Sequence, residues 1–239
     1  MNATEYFRSG QLNLAIETLN EELRQNPLDS KRRTFLFELL CLSGDFERGG
    51  KHLDVLAQQG QQAELGAMVY RSAVLAEQSR QEFFHNREYS LQAPASEQIP
   101  GVLNGRPFQT IADADPRIGA HLEVFVAGRY IWIPWEHVAS IRMQAPHRVR
   151  DLQWSPAIVR TSPDFAVQDL GEVLLPALYP FSHTHADDVV RLGRATAWEE
   201  TSDGAEIPFG QKLLLVDGEE VPFLELRELE VHVAKAVAG

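Results

Sequence analysis

The sequence predicts an α+β protein in two parts, a tetratricopeptide-like helical half followed by a half of mostly antiparallel strands. Three observations carry this. Gly10-Gln11-Leu12, Ala15 and Leu19 are echoed 34 residues later by Gly44-Asp45-Phe46, Gly49 and Leu53, and a 34-residue period with glycine at the inter-helix turn is the tetratricopeptide pattern. Pro94, Pro100, Gly101, Gly105 and Pro107 then interrupt any helix. Beyond them, apolar runs flank Gly128-Arg129 and Asp217-Gly218, which are hairpin signals. The halves are drawn at residues 1–90 and 91–239.

Residues 3–60 read as four helices. The first, about 3–9, is short because the chain begins inside a full repeat. The second, about 13–25, carries Leu14, Ile16, Leu19 and Leu23 on or near one face and stops at Asn26-Pro27. Asp29 or Ser30 caps the third, which holds Phe35, Leu36, Leu39, Leu40 and Leu42; the fourth runs from about 46 to 58. A longer helix, about 62–86, holds Leu65, Met68, Val69, Ala73, Leu75 and Ala76. The small residues Ala15 and Gly49 let paired helices approach closely. Two repeats are too few for a free-standing solenoid, so the rest of the chain must cover them.

In the second half, 122–127 and 130–133 form one expected hairpin and 212–216 and 219–221 another, while Leu229, Val231 and Val233 alternate as a half-buried strand does. Pro134, Trp135, Val138, Ile141 and Met143 share their spacing with Pro222, Phe223, Leu226, Leu229 and Val231. Each reads as strand, proline break, helical turn, strand. A third partial copy starts at Pro107-Phe108 with Ile111. Duplication and the same local geometry reached twice both fit.

The net charge is -12 and the pI near 5.1. Such a chain gains no counterion release from phosphate and is repelled by anionic lipid, which argues against nucleic acid or a membrane surface as partner. The acidity is uneven: residues 1–90 carry ten Lys/Arg against thirteen Asp/Glu, and residues 91–239 twelve against twenty-one. Cys41 is the single cysteine, so no intrachain disulfide forms, and its apolar surroundings mark it as a small hydrophobe. With no signal peptide and no bilayer-length apolar run, the expected location is cytoplasmic.

A longer pattern is more specific. Ala112-Asp113-Ala114-Asp115-Pro116-Arg117-Ile118-Gly119 is followed by Leu122-Glu123-Val124, then by Gly128-Arg129-Tyr130-Ile131-Trp132-Ile133-Pro134-Trp135. Arg150-Asp151-Leu152-Gln153-Trp154, Pro156-Ala157, Arg191-Leu192-Gly193-Arg194, Thr196-Ala197-Trp198 and Gly210-Gln211-Lys212 come next, before Asp217-Gly218 and Leu226-Arg227. In order and spacing this resembles the ImpE/TagJ family, accessory proteins of bacterial type VI secretion, over almost the whole chain. Departures fall at 176–181, which lacks an arginine and a glycine, and at Glu225 in place of an aspartate. The resemblance implies a non-catalytic protein. Its implied partner is the small subunit of the contractile sheath, bound through a helix of that subunit, with an indirect influence on how the disassembly ATPase reaches the sheath.

Chemistry-bearing residues give two alternatives. Asp113 and Asp115 face one way in an extended segment and suit a hard cation, or serve as turn formers with Arg117 as ion-pair partner. His183 and His185, with Asp187, have ligand types at period-two spacing for zinc, or belong to a solvated loop. Either cluster makes a metal-dependent hydrolase the competing reading; a generic peptide-binding adaptor is the other. No Gly-x-Ser-x-Gly elbow and no glycine-rich phosphate loop occurs, and no cofactor is expected. Trp132, Trp135, Trp154 and Trp198 are expected in the core, and Arg150-Asp151 and Arg194 in buried ion pairs.

The repeat register also places a partner surface. The first helix of each tetratricopeptide pair lines the concave groove. This puts Lys31, Thr34 and Glu38 there, with Leu65, Met68 and Leu75 from the long helix. An apolar strip edged by charge suits an amphipathic helix, and Met adapts to such a surface. The rival expectation is that the second half covers the strip as core.

Overall fold

A computed structural model of the chain describes residues 1–89, 98–166, 169–201 and 204–232. Five helices come first: α1 (Ala3–Arg8), α2 (Leu12–Gln25), α3 (Ser30–Leu42), α4 (Phe46–Ala57) and α5 (Gln61–His85). Gly10 and Gly44 turn the chain with matching left-handed φ of 78° and 77°, a conformation that favours glycine. Asp29 and Asp45 cap α3 and α4, accepting from the N–H groups of Arg32 and Arg48. Ala15 is fully buried, and a Cβ on Gly49 would lie 3.5 Å from the Phe37 ring and 3.7 Å from Cys41 Sγ. The small residues of the repeat therefore sit where helices meet. Cys41 is buried, and burial raises its thiol pKa well above the ordinary value.

The second half contains β1 (Gly101–Leu103), β2 (Arg106–Phe108), β3 (Ile111–Asp113), β4 (His121–Val126), β5 (Arg129–Pro134), β6 (Val138–Met143), β7 (Trp154–Thr161) and β8 (Asp169–Pro176). A short helix α6 (Asp188–Arg191) follows, then β9 (Thr196–Glu200), β10 (Glu206–Gly210), β11 (Leu213–Val216), β12 (Glu219–Pro222) and β13 (Glu228–Val231). Eight strands form one sheet in the order β2-β1-β13-β6-β7-β8-β4-β5. A second sheet has the order β12-β11-β3, and β9 pairs with β10 apart from both. The described pairings are antiparallel. One core draws Val124, Ile141, Val159, Leu175 and Leu229 from the large sheet and Ile111 and Leu214 from the small one.

Turn chemistry sets the hairpins. Asp217 and Gly218, with φ of 52° and 83°, make the expected β11–β12 turn. The β4–β5 turn falls on Ala127 and Gly128 (φ 49° and 78°), one residue earlier than the Gly128-Arg129 expected. Asn104-Gly105 (φ 49° and 81°) closes a further hairpin, β1–β2. Leu229 and Val231 alternate inward as expected; Val233 lies outside the described residues.

The internal echo is a repeated local geometry. Pro134 ends β5, residues 135–137 make a 3-10 turn, and β6 follows; Pro222 ends β12, residues 223–225 make another, and β13 follows. Trp135 N–H donates to Ala120 O just before β4, and Phe223 N–H to Lys212 O just before β11, both over 2.8–2.9 Å. The two final strands pair with Leu229 opposite Ile141. Pro107-Phe108 is not followed by such a turn: it ends β2, and β3 follows directly.

Candidate partner-binding surface

The two halves are joined through buried charge. Glu123 on β4 accepts from Arg80 of α5 at two points, Nε to Oε1 at 2.7 Å and Nη2 to Oε2 at 2.8 Å. It also accepts from Lys212 Nζ at 2.7 Å and Tyr130 OH at 2.7 Å. Arg80 donates further to Leu178 O, and Glu77 accepts from Trp154 Nε1 at 3.0 Å. Burial would raise the Glu123 pKa, but Arg80 and Lys212 outweigh it and hold the carboxyl at about 2. Burial opposes charge on Lys212 as well, and Asp113 and Glu123 outweigh that and raise its pKa.

Asp113 and Asp115 belong to this buried system. Asp113 pairs with Lys212 at 2.7 Å and accepts from the Asp115 N–H; Asp115 holds Arg117 at 2.6 Å. Burial pushes the Asp113 pKa up to about 7 despite Lys212. Both carboxylates are thus bonded to side-chain cations of the chain, and the turn with Arg117 as partner is the expectation the geometry matches. His183 and His185 do not share a strand: His183 begins a path over the helical half, while His185 Nε2 lies 3.1 Å from Glu199. Asp187 instead caps α6, accepting from the Val189 N–H. Among the described residues, no group of three or more His, Cys, Asp or Glu is placed to hold a metal ion.

The segment 182–194 forms a second junction, resting on both repeat turns. A Cβ on Gly44 would fall 2.3 Å from His183 Cδ2, and one on Gly10 would lie 3.4 Å from Val189. Burial lowers the His183 pKa, favouring the neutral ring. Gln11 gives α2 no side-chain cap; Asp188 supplies one from the other half, accepting from Leu12 N–H at 2.8 Å. Arg194 departs from the expected ion pair. It donates to Phe7 O and Arg8 O at the end of α1 and stacks on the Phe7 ring. Leu178 and Leu192 complete the α1–α3 core, and Phe125 and Trp154 that of α3–α5. The second half thereby covers repeats too few to stand alone.

The six residues assigned to the groove divide. Lys31 is exposed, Thr34 is half-buried and bonds Ser30 O, and Glu38 is buried and accepts from Tyr70 OH at 3.0 Å. Burial raises the Glu38 pKa. Leu65, Met68 and Leu75 are 56%, 51% and 58% exposed, so the second half does not cover them. Tyr70 and Met68 are about 200° apart around α5. Glu38 therefore meets the side of α5 away from Met68, and the two sets do not line one groove.

A feature that sequence reasoning missed lies beside this stripe. Gly66, Val69, Ser72 and Ala73 of α5 overhang a cleft of about 410 Å³. Phe125, Pro156, Val173 and Leu174 of the large sheet line its other side, with Arg150 and Glu172 among its polar groups. Arg150 bonds Asp151 at 3.3 Å, as expected, and its guanidinium stacks on Tyr70, 5.2 Å from the ring centre. Two of the four tryptophans, Trp135 and Trp154, are buried; Trp132 is half-buried, and Trp198 is 39% exposed on the β9–β10 ribbon, against expectation.

This arrangement seals the charge of Arg80, Glu123 and Lys212 inside and leaves large aliphatic side chains exposed on one helix. The sequence model of the ImpE protein family matches residues 105–230. The chain is 33% identical to a type VI secretion system accessory component, TagJ of Pseudomonas aeruginosa, over 99% of its own length and 93% of that protein. It also matches the crystal structure of protein VPA1032 from Vibrio parahaemolyticus, with a TM-score of 0.86, 25% identity and 98% of each chain covered. The chain belongs to the ImpE family and is a relative of TagJ, an accessory component of a type VI secretion system. Among the described residues no helix is long and apolar enough to cross a membrane.

Proposed function

We propose that this chain is a non-catalytic accessory protein of a type VI secretion system. On this reading it binds a helix of the small contractile-sheath subunit along the outer surface of α5, and thereby influences sheath disassembly by the ATPase. The observation that carries the proposal is the stripe Leu65, Met68 and Leu75, each more than half exposed on a helix anchored at its far end. Large aliphatic groups aligned on one helix face suit an amphipathic helix laid against them. The kinship with TagJ supports the secretion context. Lys31, Thr34 and Glu38 stay a separate candidate contact on α3, apart from the stripe. Glu38 contributes there by fixing Tyr70, since its carboxylate is buried.

The test is a titration of purified chain with the small sheath subunit. Met68→Glu is expected to keep the native thermal melt and lower affinity at least tenfold. Full-strength binding by the folded variant contradicts the stripe assignment.

A further inference from the structure

We infer that the cleft between α5 and the large sheet is the anchor point and direction-setter for the bound helix, which enters with its N-terminus toward Glu172 and its C-terminus toward Arg150. This rests on the helix-binding reading above and adds where the helix is seated and which way it runs.

Gly66 points to a close neighbour. It lies inside α5, where glycine is less favourable than alanine, and a Cβ there would meet nothing within 4 Å. The chain's own packing gives no reason for a missing side chain. Close approach of a second backbone gives one, since glycine admits helices at short range.

The large sheet is left partly uncovered beside it. Trp154, Pro156 and Ile158 alternate onto one face of β7. Trp154 is buried in the core shared with the helices, whereas Ile158 is 50% exposed. The helical layer thus stops part-way across this face, and the cleft marks its border. An elongated body lying beside α5 would continue the layer and cover Val69 and Ile158 together.

Charge is arranged along the cleft. Arg150 precedes β7 and stands beside Tyr70, while Glu172 is paired in register with Ile158, four residues beyond Trp154. The two charges therefore lie toward opposite ends of the cleft. A helix carries partial positive charge at its N-terminus and negative at its C-terminus, which fixes the direction.

The experiment uses the full chain and fluorescent peptides spanning the helices of the small sheath subunit. Gly66→Phe fills the cleft mouth in open space and is expected to preserve the melt while weakening binding at least tenfold. Gly66→Ala, which adds one methyl where the two backbones come closest, is expected to weaken binding at least threefold, and native affinity in this variant overturns the close approach at Gly66. A photoreactive group at the peptide's N-terminus should cross-link near Ile158, and one at its C-terminus near Arg150. Native binding strength in folded Gly66→Phe, or the reverse cross-links, overturns the cleft while leaving the stripe standing. Failure of the unsubstituted chain to bind any of the peptides overturns the helix-binding reading and this inference with it.

Discussion

The two halves of α5 invert the usual order of burial. Its later turns carry Glu77 and Arg80, which are 4% and 1% exposed. Its earlier turns and outer flank carry Leu65, Met68, Val69 and Leu75, all half exposed or more. Buried charge is stable when every carboxylate and cation finds a partner, and Glu123 supplies that partner from the other half of the chain. Among the described residues the aliphatic stripe has none. The contrast teaches that one end of the helix is committed to internal structure and the other is left for an outside surface.

The sharpest way to break this contrast is at Glu123. Glu123→Gln leaves Arg80 and Lys212 buried without their shared carboxylate, and the expected loss in chemical denaturation is about 3–5 kcal/mol. The acid limb gives a second test. The Glu123 carboxyl is held near 2 rather than the ordinary 4.5. Its contribution is complete above pH 4.5 and drains away as the pH falls toward 2. The melting temperature of Glu123→Gln should therefore fall less steeply across that window than that of the native chain. An equal slope in both proteins would remove Glu123 from the account.

Next in size is Gly49→Leu. A Cβ at Gly49 meets Phe37 and Cys41 at ordinary contact distance, so further methyl groups overpack the α3–α4 contact, by about 1–3 kcal/mol. An unchanged melt would count against the repeat register. Gly66→Ala should act in the opposite direction, raising stability by about 0.5–1 kcal/mol through helix propensity alone. A loss of stability would mean that Gly66 is needed by the chain's own fold. Smallest of all, Leu75→Ser should lie within about 0.5 kcal/mol of the native protein, because a side chain already in solvent has little burial to lose. A loss comparable to a core substitution would show that the stripe is internal structure.

Local features of the fold were legible in the sequence, and long-range ones were not. The 34-residue register located the turn glycines, and Asp29 and Asp217 act as their types suggest. Asn104-Gly105 carries as strong a hairpin signal as Asp217-Gly218, and it closes β1–β2 where the glycine alone suggests only a helix break. The Arg80–Glu123–Lys212 system was out of reach because its members stand 43 and 89 residues apart, and no local pattern marks which charges will meet. The aliphatic character of Leu65, Met68 and Leu75 was plain; their exposure was not. Through the turns that carry the stripe, the buried positions of α5 are small, Ala67, Ala73 and Ala76, and they bring the helix close while Leu65, Met68 and Leu75 stay outside. The cleft was invisible for the same reason, since it depends on where the helical layer ends across the sheet.

Backbone hydrogen exchange along α5, with and without the small sheath subunit, tests the central claim most directly. The account predicts that the subunit slows exchange over residues 61–75 and leaves residues 76–85 as they were, because the later turns are already locked by Arg80 and Glu77. Unchanged exchange over 61–75 in a chain that demonstrably binds the subunit would contradict it.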